Sequence, residues 1–129
     1  MTGVFLIMRI YQHVRGVGGA LRDNSFVIID DAGVEVGQGG QEVLGVPVFN
    51  TVKEAMEATD ANATVLFVPA KFTKSGLMEA IDAEVPLIIT IAEHVPVHDM
   101  MEAYHLSRKK GVRVVGPNSF GVISPGKSK

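Results

Sequence analysis

The sequence predicts an α/β domain with a Rossmann-like, doubly wound and mainly parallel sheet. Short apolar runs that do not alternate with polar residues occupy positions 5–8, 26–29, 63–68, 87–91 and 112–115. Such runs are typical of strands that are covered on both faces. Helical patterns of ~10–14 residues separate the later runs, and strands alternating with helices indicate βαβ units in a parallel sheet.

Three helices are predicted from their caps and charges. They are expected over residues 51–59, 74–83 and 97–110. Thr51 and Glu54 have the spacing of a capping box at the start of the first helix. The third helix has Asp99 in its first turn and a basic last turn, as the helix dipole favours, and Gly111 ends it.

Composition limits the classes of function that this chain can serve. Its 129 residues are enough for one domain, which we expect over positions 1–129. A net charge of -2 predicts no nucleic-acid partner, and the absence of cysteine excludes disulfides, thiolate nucleophiles and cysteine-ligated zinc. No apolar run reaches the ~20 residues that a membrane span needs, and no secretory signal is recognisable. We therefore expect a cytoplasmic location, or the mitochondrial matrix in a eukaryote.

Loops that follow predicted strands are the candidate ligand site. They occupy residues 33–40, 68–72, 91–96 and 116–126. In an open α/β sheet, ligands bind at the carboxyl ends of the strands, so these loops should border one crevice. The glycines of the first loop would let backbone amides cradle a phosphate, although a plain surface turn has the same composition. Glu93 could accept a hydrogen bond from a ligand, or it could only stabilise a helix N-terminus.

Other kinds of site have less support. His94 and His98 are four residues apart, but Pro96 lies between them and breaks the helical register, so we expect no metal. No Ser-His-Asp set is evident, and we expect no catalytic residues. The glycines at 16–19 lack the third glycine of a dinucleotide fingerprint, which argues against NAD.

Several motifs bear a family resemblance. They are GVPVFNTV at 45–52, EAIDA at 79–83, LIITI at 87–91, GPN at 116–118 and GVISPG at 121–126. By these motifs the chain resembles the N-terminal, CoA-binding domain of the α subunit of succinyl-CoA synthetase, a succinate–CoA ligase. The resemblance needs no gap from about residue 33 to residue 126, and it implies coenzyme A as the ligand.

The resemblance also implies which residues contact CoA. By their positions in the family's motifs they are Gly37, Gln38, Gly39, Gly40, Pro69, Ala70, Lys71, Ile91, Ala92, Glu93, Asn118, Gly16 and, near the phosphates, Arg15. Gln38 stands where the family has lysine, while Ile10 and His13 stand where it has glycines. We hypothesise that Arg15 and Lys71 restore the positive charge that Gln38 removes.

Function and partners follow from the same resemblance. The chain would present CoA for acyl-CoA formation from succinate and would not be catalytic on its own, because the family's phosphorylated histidine lies in a second domain. None of the four histidines matches it. The implied partners are a β-type ligase subunit or a separate histidine-bearing domain. Three alternatives stay open: a diverged, non-enzymatic CoA- or nucleotide-binding regulatory module, a truncated ligase subunit, and last a redox Rossmann protein.

Overall fold

The structure is a computed structural model that describes residues 3–8, 26–31, 42–43, 46–59 and 61–122. Its elements, in chain order, are β1 (Gly3–Met8), β2 (Phe26–Asp31), β3 (Glu42–Val43), β4 (Val46–Phe49), α1 (Val52–Thr59), β5 (Ala63–Phe67), α2 (Ala70–Asp82), β6 (Leu87–Thr90), α3 (Val97–Lys110) and β7 (Arg113–Val115). No helix in these ranges is long and apolar enough to cross a membrane.

The strands form one seven-stranded sheet in the order β3-β4-β2-β1-β5-β6-β7. The pairs β2/β4, β5/β6 and β6/β7 are parallel. Since α2 and α3 connect β5 to β6 and β6 to β7, these elements are two consecutive βαβ units. Without the short β3, the order matches the 3-2-1-4-5-6 arrangement of dinucleotide-binding sheets. The predicted α/β, Rossmann-like class is confirmed.

The direction of β1 differs from the prediction of a parallel first strand. β1 is a strand as expected, but it pairs antiparallel with both β2 and β5. Met8, its last residue, lies opposite Ala63, the first residue of β5. A continuous apolar run predicts burial but carries no information about strand direction. β1 therefore ends at the edge of the sheet where β5 begins.

The boundaries of two of the three helices agree with those predicted from the sequence. At α1, Thr51 Oγ1 accepts a hydrogen bond of 3.2 Å from the Glu54 N–H, as the capping box predicts. α3 has the predicted limits, and Gly111 ends it in the left-handed region at φ 70°. α2 begins four residues before the predicted position 74, directly after Pro69, whose φ of -56° suits a helix entry.

The described core joins the parallel strands to the helices. Its largest fully buried apolar side chains are Leu66, Leu77, Ile81, Ile88, Val52 and Val85. Burying a side chain of this size stabilises a fold by ~1.5–3 kcal/mol. α2 contributes Leu77 and Ile81, which pack in one cluster with Leu66 of β5 and Ile88 of β6. This packing fixes the strand ends from which the candidate site is built.

Candidate functional site

Five of the described strands, β2, β4, β5, β6 and β7, end at the same edge of the sheet. β2 ends at Asp31 and β5 at Phe67, and these residues lie opposite neighbouring positions of β1. β6 ends at Thr90 and β7 at Val115, in parallel register with β5. The loops that follow these strands therefore start side by side, and the order of the strands reverses between β1 and β5. This is the position at which α/β sheets bind their ligands.

The first part of the edge is the N-terminus of α2. Pro69 precedes the helix, and no described side chain caps it with a hydrogen bond. Only the Phe72 N–H turns back, donating to the Pro69 carbonyl at 2.9 Å. The first N–H groups of a helix have no partner within the helix, so those of Ala70 and Lys71 are available to a ligand. Such a terminus attracts anions because of the helix dipole.

Lys71 strengthens the positive character of this terminus. The first turn of α2 contains no acidic residue, although acids are the residues that a helix dipole favours there. Lys71 is exposed, and its Nζ lies 4.7 Å from the centre of the Phe72 ring. A cation in this place repels the dipole, which makes it a poor choice for stability and a good one for binding a phosphate.

The loop after β6 forms the second part. Ile91 and Ala92 are half-buried, whereas Glu93 is exposed. Glu93 Oε2 lies 3.7 Å from Nε2 of His94, whose backbone has a positive φ of 58°. The Glu93 carboxylate can accept hydrogen bonds from a hydroxyl or an amide but would repel a phosphate. The two parts of the edge therefore differ chemically, since the first suits anions and the second suits hydrogen-bond donors.

The loop after β7 is held against the loop after β6. The Asn118 N–H donates to the Ala92 carbonyl at 2.9 Å, and Ser119 Oγ donates to the Thr90 carbonyl at 3.2 Å. Gly116 has φ 104°, and a Cβ there would lie 2.2 Å from the Thr90 carbonyl oxygen. Only glycine permits so close an approach of the two backbones.

Thr90 was not among the predicted site residues. Its side chain is fully buried at the end of β6, and its hydroxyl has no hydrogen-bond partner among the residues described. A buried, unpaired polar atom costs ~1–3 kcal/mol, so it is retained where a ligand or a water completes it. The signal that could have found it is the threonine that closes an otherwise apolar strand, LIIT.

The structure brings part of the predicted site together. Pro69, Ala70 and Lys71 follow β5; Ile91, Ala92 and Glu93 follow the adjacent β6; and Asn118 is hydrogen-bonded to Ala92. The other predicted contacts lie outside the described residues, namely Arg15, Gly16, Gly37, Gln38, Gly39 and Gly40. β2, which precedes the glycine loop, ends at this edge, whereas β1, which precedes Arg15, ends at the opposite one.

The described histidines form no metal centre. His94 lies in the loop after β6 and His98 in the first turn of α3, and both are exposed. Within the described ranges, no group of three or more histidine, aspartate and glutamate side chains could hold a metal ion.

Comparison with known proteins gives the family. Residues 20–94 match the family described as CoA binding domain. The chain is 52% identical over 97 residues to a succinate–CoA ligase [ADP-forming] α subunit of Archaeoglobus fulgidus, which covers 75% of this chain and 34% of that protein. It is 50% identical over 100 residues to the corresponding subunit of Aquifex aeolicus, covering 76% of this chain and 33% of that protein.

A solved structure has the same fold. ATP citrate lyase from Methanothrix soehngenii, in complex with citrate and coenzyme A, superposes with a TM-score of 0.63 at 26% identity. The superposition covers 70% of this chain and 15% of that one. The chain spans about a third of the length of the ligase subunits that it matches. Because the family match extends over more than half of its 129 residues, the chain belongs to the CoA binding domain family.

Proposed function

We propose that the chain is the CoA-binding portion of a succinate–CoA ligase of the α-subunit type. It holds CoA along the carboxyl edge of the sheet and presents the thiol for acyl-CoA formation from succinate. The observation that carries this proposal is the uncapped N-terminus of α2 with Lys71 in its first turn, next to the loop after β6. The identity of about one half to succinate–CoA ligase subunits supports the choice of reaction.

The two parts of the edge suit the two kinds of group in CoA. The amides of Ala70 and Lys71, with the Lys71 ammonium, would bind phosphate oxygens. Glu93 would accept hydrogen bonds from hydroxyl or amide groups of the ligand, and the half-buried Ile91 and Ala92 would contact its apolar parts. The predicted contacts from Gly37, Gln38, Gly39, Gly40, Arg15, Gly16 and Asn118 belong to the same proposal.

The chain supplies the thiol substrate and not the phosphoryl chemistry. In the reaction that the resemblance implies, a phosphohistidine of another domain activates succinate, and the CoA thiol then displaces the phosphate. A β-type subunit or a separate histidine-bearing domain is therefore the proposed partner, in the cytoplasm or in the matrix of a mitochondrion. Over positions 1–129 we propose a single CoA-binding domain, without nucleic-acid or membrane partners.

Calorimetric titration of CoA into the wild type and into Lys71→Ala tests the proposal. A charge-assisted hydrogen bond contributes ~1.5–3 kcal/mol, so Lys71→Ala should weaken binding about tenfold to a hundredfold. Lys109→Ala is the matched control, because Lys109 is exposed in the last turn of α3 and should leave the affinity unchanged. Equal affinities of Lys71→Ala and wild type would remove Lys71 from the site.

A diverged, non-enzymatic module is the second candidate. It is favoured by Ile10 and His13, which replace glycines of the family's first loop, and by the reversal of β1. A thermal-shift comparison of CoA with NAD(H) separates the candidates, because a ligand at 100 times its Kd adds ~2.7 kcal/mol of stability. Stabilisation by CoA alone supports the ligase proposal, and no response to either ligand supports the diverged module or a truncated subunit.

A further inference from the structure

We infer that the flank of the domain formed by α3 and β7 is a docking surface for another protein chain that offers apolar and acidic side chains together. This α3–β7 flank comprises Val97, Met101, Tyr104, Arg108, Arg113 and Pro117. None of these six residues is among those to which the proposed function assigns CoA contacts, although Pro117 is the neighbour in sequence of Asn118, which is. Three independent features of the flank lead to this inference.

The first feature is an apolar stripe along α3. Val97, Met101 and Tyr104 are 73%, 61% and 50% exposed, and their spacing of four and three residues places them on one side of the helix. The buried residues of α3, Ala103 and Ser107, face the sheet. The stripe borders an open groove of about 660 Å³ that Pro117 also lines. Large apolar side chains that share an exposed groove mark interaction sites.

The second feature is β7, which forms an edge of the sheet among the described strands. β7 is the last strand in the sheet order and pairs only with β6 among the described strands. The outer backbone groups of such a strand are open to pairing with another chain. A second cavity of about 280 Å³ lies between this edge and the end of α3, and Tyr104 and Arg108 line both cavities. The groove and the edge are thus one continuous surface.

The third feature is the sign of the charge. The basic side chains lining the two cavities are Arg108, Arg113 and His105, and no aspartate or glutamate is among the described residues that line either one. Neither arginine forms an ion pair with a described residue. The acids of α3, Asp99 and Glu102, are instead held by Lys74 of α2. Although the chain has a net charge of -2, the described residues of this flank include no acid.

These features select the occupant. A two-fold pairing of two copies through β7 would bring the arginines of both copies together without a carboxylate between them, and like charges across an interface disfavour binding. A small anion could pair with the arginines but would leave the apolar stripe exposed. A protein chain with carboxylates beside apolar side chains satisfies the arginines, the stripe and the edge strand β7 at once.

Fluorescence anisotropy with two labelled peptide pools tests the inference. In one pool, glutamate or aspartate alternates with leucine, valine or phenylalanine; in the other, lysine replaces each acid. The acidic pool should bind at least tenfold more tightly than the lysine pool, and the double variant Arg108→Glu/Arg113→Glu should abolish that preference. Lys109→Glu, an exposed neighbour that lines neither cavity, is the matched charge control.

Two further measurements keep the inference falsifiable if the arginine variant folds poorly. Met101→Asp, on the same stripe, should also lower the affinity for the acidic pool about tenfold. When that pool is added to the wild type, the amide chemical-shift changes should concentrate on α3 and β7. Equal binding of both pools would overturn the inference, as would a dimer in sedimentation that Met101→Asp dissociates, or displacement of the acidic pool by ADP. Titration of CoA into the same variants tests the proposed function separately from the docking surface. If the proposed function is wrong, CoA does not bind, but the preference for the acidic peptide pool remains.

Discussion

Replacing Gly116 with alanine tests the close packing between the end of β6 and the loop after β7. Gly116 has φ 104°, a conformation that costs a residue with a side chain ~1–3 kcal/mol. Its Cβ would also lie 2.2 Å from the Thr90 carbonyl oxygen and 3.0 Å from Thr90 Cγ2. Both atoms belong to a buried residue, so the loop and not the strand has to move.

The size of the effect follows from that movement. To reach an ordinary contact distance the loop must shift by roughly 1 Å. The hydrogen bonds from Asn118 to Ala92 and from Ser119 to Thr90 measure 2.9 Å and 3.2 Å, so such a shift breaks both. Each contributes about 1 kcal/mol, which with the backbone strain gives a loss of about 3–5 kcal/mol.

Gly121→Ala is the matched control for Gly116→Ala. Gly121 also has a positive φ, of 98°, but no atom of a described residue lies within 4 Å of its added Cβ. It should carry the backbone strain without the clash, so Gly116→Ala should lose about 2 kcal/mol more, or roughly 6–10 °C in Tm for a domain of this size. Urea and thermal unfolding followed by circular dichroism measure both variants. Equal losses would show that the Thr90 contact is not what requires glycine.

Two further predictions concern the helices. Glu79→Ala should lower the free energy of unfolding in urea by about 1 kcal/mol, because Glu79 Oε1 accepts a hydrogen bond of 2.9 Å from the Val52 N–H at the start of α1. Glu79→Gln keeps an acceptor and should lose less stability. A larger loss in Glu79→Gln than in Glu79→Ala would contradict this reason. Hydrogen bonding to Glu102 at 2.7 Å, together with Asp99 at 3.3 Å, raises the pKa of Lys74 above its usual 10.5. The folded state thus holds the Lys74 proton more tightly, so the stability that this proton contributes is full below pH 10.5 and is lost as pH rises through the raised pKa. In thermal melts across that pH window, the Tm of Lys74→Met should therefore fall less than the Tm of the wild type. Parallel Tm curves of the two proteins would refute the assignment.

Local rules predicted those parts of the fold that depend on neighbouring residues. The limits of α3 were predictable because its acidic first turn, basic last turn and Gly111 lie within the helix or directly beside it. α2 was placed too late, because Pro69 was interpreted as part of a loop rather than as the residue that precedes a helix. β4 was not predicted as a strand; in the structure its Pro47 lies opposite Glu42 of the two-residue β3.

The candidate site also has features that the sequence predicted and features that only the structure shows. The sequence identified the loops after β5 and β6 because parallel strands must end at a common edge, and the resemblance supplied the residues within them. It did not reveal that Thr90 is buried with a hydroxyl that no described residue pairs, or that Gly116 packs against its carbonyl group. Those facts depend on contacts between residues about 26 positions apart, which no local pattern encodes.

By itself, the sequence determined the alternation of strands and helices, the family and the edge of the sheet that carries the site, since each depends on local periodicity or on motifs read along the chain. Only the tertiary structure decided the direction of β1, the uncapped start of α2 at Ala70, and the meeting of apolar and cationic side chains on the α3–β7 flank. The physical reason is that strand pairing and helix packing join residues distant in sequence. Their free energy depends on which surfaces meet and not on the order of neighbouring residues.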